Sequence, residues 1–223
     1  MIPLKDENPT RSFPFINTLL IIANIVIFFM QISSRGRNID LLNRFSMIPS
    51  IFFNDPITNW YRIFTYTFLH GGWFHIIGNM LFLYIFGDNV EDLLGHFRYL
   101  IFYFLAGVFG VLLQSFFSTH SHIPIIGASG AISGIITAYM LLFPLKNIVT
   151  LMFLGFFIMP VRIPAIFYIA LWIMGQIFNS LISLPYVGEM GGVAYLVHVG
   201  GIAFGFVYII SKKRKLQRDY ITR

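Results

Sequence analysis

The chain has 223 residues, of which 57% are hydrophobic and 11% are charged, and its mean hydropathy is +0.77. These values indicate an integral membrane protein, and the lack of cysteine excludes disulfides, thiolate metal sites and a cysteine nucleophile. The net charge of +6 does not indicate a nucleic-acid partner, because five of these charges come from residues 212–223, directly after an apolar stretch.

Six apolar stretches follow a polar lead. Residues 1–14 end at Pro14 and are predicted to form a short, poorly ordered cytoplasmic lead. About 20 helical residues cross a hydrocarbon core of about 30 Å. Spans are predicted at residues 15–32, 72–86, 99–117, 127–143, 163–182 and 193–210. The sequence therefore predicts an all-α membrane protein with a six-span domain at residues 15–211 and a basic cytoplasmic tail at residues 212–223.

Two segments between the spans are too apolar for free loops. Residues 33–70 carry charges but are also rich in Phe, Ile and Trp, which is typical of short helices lying at a membrane surface. We therefore predict that this first loop lies at the membrane surface. Residues 146–162 are apolar but broken by Gly155 and Pro160, and they are predicted to fold at the surface.

Lysine and arginine counts orient the bundle. Six spans place both termini on one side, and with the termini inside, the inner segments hold eleven basic residues. The outer segments hold four, which are Arg35, Arg37, Arg44 and Arg62. Both termini are therefore predicted to be cytoplasmic. Short termini and the lack of a transit signature favour a bacterial plasma membrane, and a eukaryotic organelle is the alternative.

The fourth span begins with a serine between glycines. Gly127 and Gly130 leave little bulk around Ser129, so its hydroxyl is reachable and its backbone N–H can face a bound carbonyl. In the first turn of a helix, unpaired N–H groups favour negative charge near that oxygen. The alternative is structural, since small residues in an apolar helix usually indicate close helix packing.

Three polar side chains in other spans lie at the same predicted depth. His75 and Asn79 share one helix face near the outer end of the second span, and His198 lies near the outer end of the sixth. Gly130 with Gly134 and Gly201 with Gly205 form Gly-x-x-x-Gly pairs that let helices approach closely. A lone His198 would more often be a structural histidine, but the matched depth favours a site.

This cluster predicts acyl transfer by a serine–histidine pair. Ser129 would attack a carbonyl and His198 would accept and return the proton. The Ser129 N–H, His75 and Asn79 would bind the oxyanion. No carboxylate lies near enough to orient the histidine, so a dyad is predicted; the excluded candidates are Asp88, Glu91, Asp92 and Glu189.

Other site chemistries are disfavoured. His70 lies beside Gly71 and Gly72, about 140° around a helix from His75, and is predicted to support the site from a loop. The sequence has no His-Glu-x-x-His motif and no pair of aspartates at membrane depth. Neither a metal nor another cofactor is predicted.

Four motifs resemble those of the rhomboid family of intramembrane serine proteases. In the family's order, across roughly residues 44–210, these are Arg62 followed by Phe68-Leu69-His70-Gly71-Gly72-Trp73-Phe74-His75 and Asn79, then Gly87-Asp88-Asn89-Val90-Glu91-Asp92, then Gly127-Ala128-Ser129-Gly130, and His198-Val199-Gly200-Gly201. Gly-x-Ser-Gly alone is a weak signal, but the four motifs together are highly specific.

The resemblance implies a role for each matching residue. Ser129 is implied as the nucleophile, His198 as the base, and His75 with Asn79 as oxyanion ligands. Glu91 is implied to tie helices together at the inner end, and Trp172 on the fifth span becomes a gate candidate. The resemblance also implies a membrane-embedded first loop, which lies sideways in the outer leaflet. Gly127, Gly130, Arg62 and His70 are implied as supporting residues.

Two positions depart from the family pattern. Trp60-Tyr61-Arg62 replaces the Trp-Arg pair of the first loop, and Ser133 stands where some members have an aromatic side chain that stacks on the histidine. Neither change removes a group that the reaction needs, but the second leaves the orientation of His198 open.

The leading hypothesis is a serine endopeptidase that cleaves membrane proteins in or near their transmembrane segment, within the lipid bilayer. Its predicted partners are transmembrane substrates and lipid, and no oligomeric state is indicated. The alternative is a non-catalytic membrane protein, such as a chaperone, a retrotranslocation factor or a small transporter, that binds substrate through the same polar cluster.

Overall fold

The computed structural model describes residues 1–33, 38–154, 157–188 and 192–221. Within these ranges the strands are β1 (Ile2–Asp6), β2 (Asn147–Leu154) and β3 (Phe157–Pro164). The helices are α1 (Phe15–Ser33), α2 (Asn38–Phe45), α3 (Pro49–Asn54), α4 (Pro56–Asn59), α5 (Arg62–Thr65), α6 (Trp73–Leu94), α7 (His96–Phe116), α8 (Ser129–Leu142), α9 (Ala165–Ser183) and α10 (Tyr195–Ile221). The predictions that concern Arg35, Arg37, Gly155, Glu189 and Arg223 fall outside the described residues.

The described helices form a membrane bundle. Four are long and apolar enough to cross a membrane, namely α1, α7, α9 and α10. A fifth candidate is α6 taken together with residues 56–68, from which it is bent by 83°. Helix α8 is apolar but has 14 residues, about 21 Å of helix. The all-α membrane class is thus confirmed, while the count of six spans stays a prediction.

Helix α8 is the buried centre of this bundle. Every residue from Gly130 to Met140 is buried, as is Leu142, while Ser129 and Leu141 are half-buried. Helix α10 packs on α8 and on α7 through glycine: a Cβ on Gly201 of α10 would lie 2.0 Å from the carbonyl oxygen of Gly130 on α8, and a Cβ on Gly110 of α7 would lie 2.4 Å from the carbonyl oxygen of Val197 on α10. The backbone of α10 therefore touches those of α8 and α7, and the starts of α8 and α10 lie side by side.

Two helices extend beyond their predicted ends. The prediction that the second span closes at residues 87–88 was wrong, because α6 continues to Leu94. Its acidic residues there have partners: Glu91 is 1% exposed and accepts hydrogen bonds from the backbone N–H groups of Ile16 (2.8 Å) and Asn17 (2.7 Å). Helix α10 likewise continues to Ile221, so the basic tail is helical as far as it is described.

Helix α1 is attached at both of its ends. Glu91 fixes its first turn, where backbone N–H groups lack partners within the helix. Near its other end, the Gln31 side-chain amide donates to the His70 carbonyl at 2.7 Å and accepts from the His70 N–H at 3.2 Å. The resemblance implied the tie through Glu91, whereas the contact through Gln31 was not predicted.

A three-stranded antiparallel sheet lies at the end of the bundle opposite Ser129. Strand β1 pairs with β2, and β2 pairs with β3, in the order β1-β2-β3. Asp6 accepts hydrogen bonds from Tyr139 on α8 (2.7 Å) and Asn89 on α6 (3.0 Å), which docks the sheet on the helices. The prediction that residues 1–14 are poorly ordered was therefore wrong for β1. The predicted surface fold at residues 146–162 is the β2–β3 hairpin.

The sheet also carries an ion pair. The Arg162 guanidinium donates to the Glu7 carboxylate at 2.7 Å and lowers the pKa of that carboxyl below its usual value. Stability from this contact is present above the unfolded-state pKa of the carboxyl and is lost as the pH falls through the lower folded-state value. Since the Arg162 side chain is 71% exposed and the Glu7 side chain 33%, screening by solvent keeps the contribution small.

Residues 38–68 contain the short helices predicted for the first loop. Arg62 on α5 is 6% exposed and donates to the carbonyl oxygens of Asn43 (2.7 Å) and Ser46 (2.8 Å) and to the Asn59 side chain (2.8 Å). One buried guanidinium thus joins three turns of the loop, since its N–H donors point in several directions.

Candidate active site

A glycine turn positions Ser129 at the start of α8. Gly127 has φ +116°, a conformation that glycine adopts without strain, and its N–H donates to the Tyr66 carbonyl at 2.9 Å. A Cβ on Gly127 would also lie 2.6 Å from Nε2 of His75. Glycine is therefore required here both for the turn and for space beside His75.

Ser129 and His198 form a direct hydrogen bond. The Ser129 Oγ lies 2.8 Å from Nε2 of His198, which is in the first turn of α10. The close contact between Gly130 and Gly201 sets the separation of α8 and α10 near this pair. Gly130 is one position after Ser129, and Gly201 is three positions after His198. The distance is short enough for proton transfer between the two side chains.

Two side chains of α9 hold the imidazole of His198. Its Nδ1 lies 2.7 Å from the Oε1 of Gln176, and its ring stacks on Trp172 with centroids 6.3 Å apart and an interplanar angle of 30°. Trp172 therefore occupies the role left open by Ser133, whose hydroxyl instead donates to the Ser129 carbonyl at 2.6 Å. Sequence reasoning missed Gln176, although its spacing of four from Trp172 places both on one helix face.

Two unused hydrogen-bond donors face the turn at Gly127. Asn79 is 8% exposed, and its Nδ2 has no hydrogen-bond partner in the described part of the chain. Such an unmet donor costs about 1–3 kcal/mol, so its retention needs a reason. His75 accepts from the Gly71 N–H through Nδ1 at 3.3 Å, which leaves Nε2 to carry the hydrogen of the neutral ring.

The remaining predicted residues fall into two groups. His70 is fully buried behind His75, with ring centroids 5.1 Å apart and edge-to-face geometry. Gly130 packs against Val197 and Tyr66 beside the serine. The structure does not bring Arg62 or Glu91 to the site: Arg62 joins turns of the first loop, and Glu91 caps α1 at the far end of α6.

The candidate catalytic and oxyanion-binding side chains line one cavity of about 1170 Å³. Its walls include Ser129, His198, His75 and Asn79, and on the α6–α9 side the rings of Phe82 and Trp172, whose centroids are 6.2 Å apart. Of the four long spans, α9 is the least buried, with 22% of its apolar window inside the protein. The described residues contain no group of three side chains placed to hold a metal ion.

Fold and cavity define a multi-pass helical membrane protein with a serine–histidine pair at one end of its bundle. A family model described as "Rhomboid domain" matches residues 58–215, well over half of the chain. The protein belongs to the rhomboid family, which confirms the resemblance drawn from the four motifs.

Individual relatives come from plants and bacteria. The chain is 28% identical over 170 residues to "Rhomboid-like protein 11, chloroplastic" of Arabidopsis thaliana, a match that covers 74% of this chain and 58% of that protein. It is 29% identical over 136 residues to "Rhomboid protease GluP" of Bacillus subtilis, covering 61% of this chain and 25% of the relative. "Putative rhomboid protease YdcA" of the same organism is 30% identical over 92 residues, covering 40% of this chain and 44% of the relative. In each case the match spans less than two thirds of the relative's length.

Proposed function

We propose that the protein is an intramembrane serine endopeptidase that uses Ser129 and His198 as a catalytic dyad. The observation that carries this proposal is the 2.8 Å contact between the Ser129 Oγ and the His198 Nε2 inside a cavity with unused donors. Membership of the rhomboid family supports the same reaction, as do two bacterial relatives whose names describe them as rhomboid proteases.

The geometry supports a standard acyl-transfer sequence. The Ser129 Oγ attacks the peptide carbonyl carbon while the His198 Nε2 accepts the hydroxyl proton. The carbonyl oxygen becomes an oxyanion and accepts hydrogen bonds from the Ser129 N–H, the His75 Nε2–H and the Asn79 Nδ2–H. The C–N bond then breaks as the imidazolium returns its proton to the leaving amine. Water next attacks the ester carbonyl and gives a proton to the His198 Nε2, and the C–O bond to Ser129 breaks as that proton passes to its Oγ.

We propose transmembrane proteins as substrates. The cavity is bounded by helices that carry lipid-facing apolar residues, such as Leu171 (50% exposed) and Met174 (58% exposed) on α9. A peptide bond must leave its own helix to reach Ser129, since helical carbonyl groups are already hydrogen-bonded. We therefore expect cleavage near residues that destabilise the transmembrane helix of the substrate. The excess of basic residues favours cytoplasmic termini, and both the orientation and the bacterial plasma membrane stay predictions.

A fluorophosphonate probe tests this function against that of a non-catalytic binder. The purified protein in detergent is expected to label covalently at Ser129, because phosphonylation requires a hydroxyl activated by a base. Mass spectrometry of the labelled peptide gives the position. Thr137→Val is the matched control, since it removes a fully buried hydroxyl from the same helix two turns away and should leave labelling intact. An unlabelled wild-type protein would favour the binder.

Asn79 tests the oxyanion site. Asn79→Ala is expected to lower kcat by about 10²–10³-fold with little change in KM, because the donor acts mainly on the charge that develops in the transition state. Steady-state cleavage of a transmembrane substrate in liposomes measures this effect. A loss of folded protein with an unchanged rate per folded molecule would instead make Asn79 a structural residue.

A further inference from the structure

We propose that Gln176 is a positioning residue for His198, with its amide oxygen taking the place of the carboxylate in a serine–histidine–aspartate triad. The proposal rests on the assignment of Ser129 and His198 as the catalytic dyad. It adds a third residue, from α9, that neither the motifs nor the family comparison assigns.

The hydrogen bond to Gln176 fixes which nitrogen of His198 carries the proton. An amide oxygen only accepts hydrogen bonds, so the 2.7 Å contact with Oε1 places the hydrogen on Nδ1. Nε2 then presents its lone pair to the Ser129 hydroxyl, 2.8 Å away. This is the tautomer that a general base needs, and a third group that selects it is the defining part of a triad.

Gln176 and Trp172 together restrict the imidazole. They lie four residues apart on α9, so they approach the ring from one helix face, Gln176 at its edge and Trp172 on its plane. No other contact to Nδ1 is present among the described residues. The orientation of His198 therefore depends on where α9 lies.

A neutral partner suits this cavity. Among the described residues, the titratable side chains that line it are His75 from α6, His198 and Tyr195 from α10, and Tyr186 from the turn after α9, and none of these lining residues is a carboxylate. A buried carboxylate would carry a large desolvation cost in a membrane protein, whereas an amide oxygen supplies the same acceptor without charge. The amide therefore orients the base without stabilising its protonated form as strongly as a carboxylate would.

Three variants of the full chain test the role, each measured for substrate cleavage and for the rate of fluorophosphonate labelling as a function of pH. Gln176→Leu is expected to lower kcat and the labelling rate by about 10- to 100-fold with KM unchanged, as when one hydrogen bond to a group that becomes charged is lost. Gln176→Glu keeps an acceptor oxygen and is expected to restore most of the rate. Its acidic limb should move to higher pH, because a carboxylate stabilises the protonated imidazole. Asn179→Leu, which removes an amide from α9 outside the cavity, should match the wild type.

The outcomes separate this proposal from the function on which it rests. A wild-type protein that neither cleaves nor labels overturns both. An active wild type with Gln176→Leu at full kcat and an unchanged pH profile overturns only the role of Gln176, as does Gln176→Glu remaining as slow as Gln176→Leu. Rates are divided by the amount of folded, monodisperse protein, so a folding defect in one variant is not counted as a catalytic loss.

Discussion

Replacing Ser129 with alanine is expected to reduce cleavage of a transmembrane substrate by about 10⁴-fold or more, to the background level, and His198→Ala should do the same. The first change removes the nucleophile, and the second leaves its hydroxyl without the base that lies 2.8 Å away. Both substitutions shorten a side chain that faces the cavity, so the fold should remain intact. Product formation in liposomes, followed by gel and mass spectrometry, measures the loss.

The double variant sharpens this result. Groups that act in one step lose their effect together, so Ser129→Ala combined with His198→Ala should be no slower than either single variant. Additive losses would show that the two side chains act in separate steps. Full activity of Ser129→Ala would end the assignment of the nucleophile.

The second large effect is expected at Gly201, where no side chain fits. Even a Cβ would lie 2.0 Å from the carbonyl oxygen of Gly130 and 3.2 Å from the Cβ of Ser133, and the nearer atom belongs to the backbone. Gly201→Val must therefore push α10 away from α8. Overpacking costs about 1–3 kcal/mol or more, which lowers a thermal midpoint by about 2–12 °C in a domain of this size. We expect that drop, together with the loss of fluorophosphonate labelling.

Gly175→Ala provides the matched control. Gly175 is also inside a membrane helix, but a Cβ there meets nothing within 4 Å. Since alanine is the better helix former by about 1 kcal/mol, this variant should be as stable as the wild type or slightly more so. Thermal unfolding in detergent compares the two. Equal midpoints for both variants would mean that α8 and α10 are not in backbone contact.

The helical bundle could be predicted because membrane helices leave a local signal. Long apolar runs at residues 15–32 and 99–117 match α1 and α7 within a few residues. The sheet leaves no such signal: β1 pairs with β2, whose partner residues lie more than 140 positions away, and residues 2–6 show no alternation. The end of α6 was missed for the same reason, since the acidic residues there are stabilised by the N-terminal segment.

The candidate site could likewise be predicted only in part from the sequence. The depth argument and the glycine pairs placed Ser129, His75, Asn79 and His198 at one level, and the structure has them in one cavity. Gln176 could not be assigned, because its contact depends on the rotation of α9 about its axis. The only available signal was an amide four residues after a tryptophan in an otherwise apolar span.

The two attachments of α1 couple the tilt of this helix to the segment just before α6. Glu91 holds one end of α1, and His70 holds the other end through Gln31, so this helix of about 28 Å is fixed at both faces of the bundle. A change in bilayer thickness tilts such a helix. Because Gln31 is hydrogen-bonded to the backbone of His70, a tilt of α1 would pull on the chain five residues before His75.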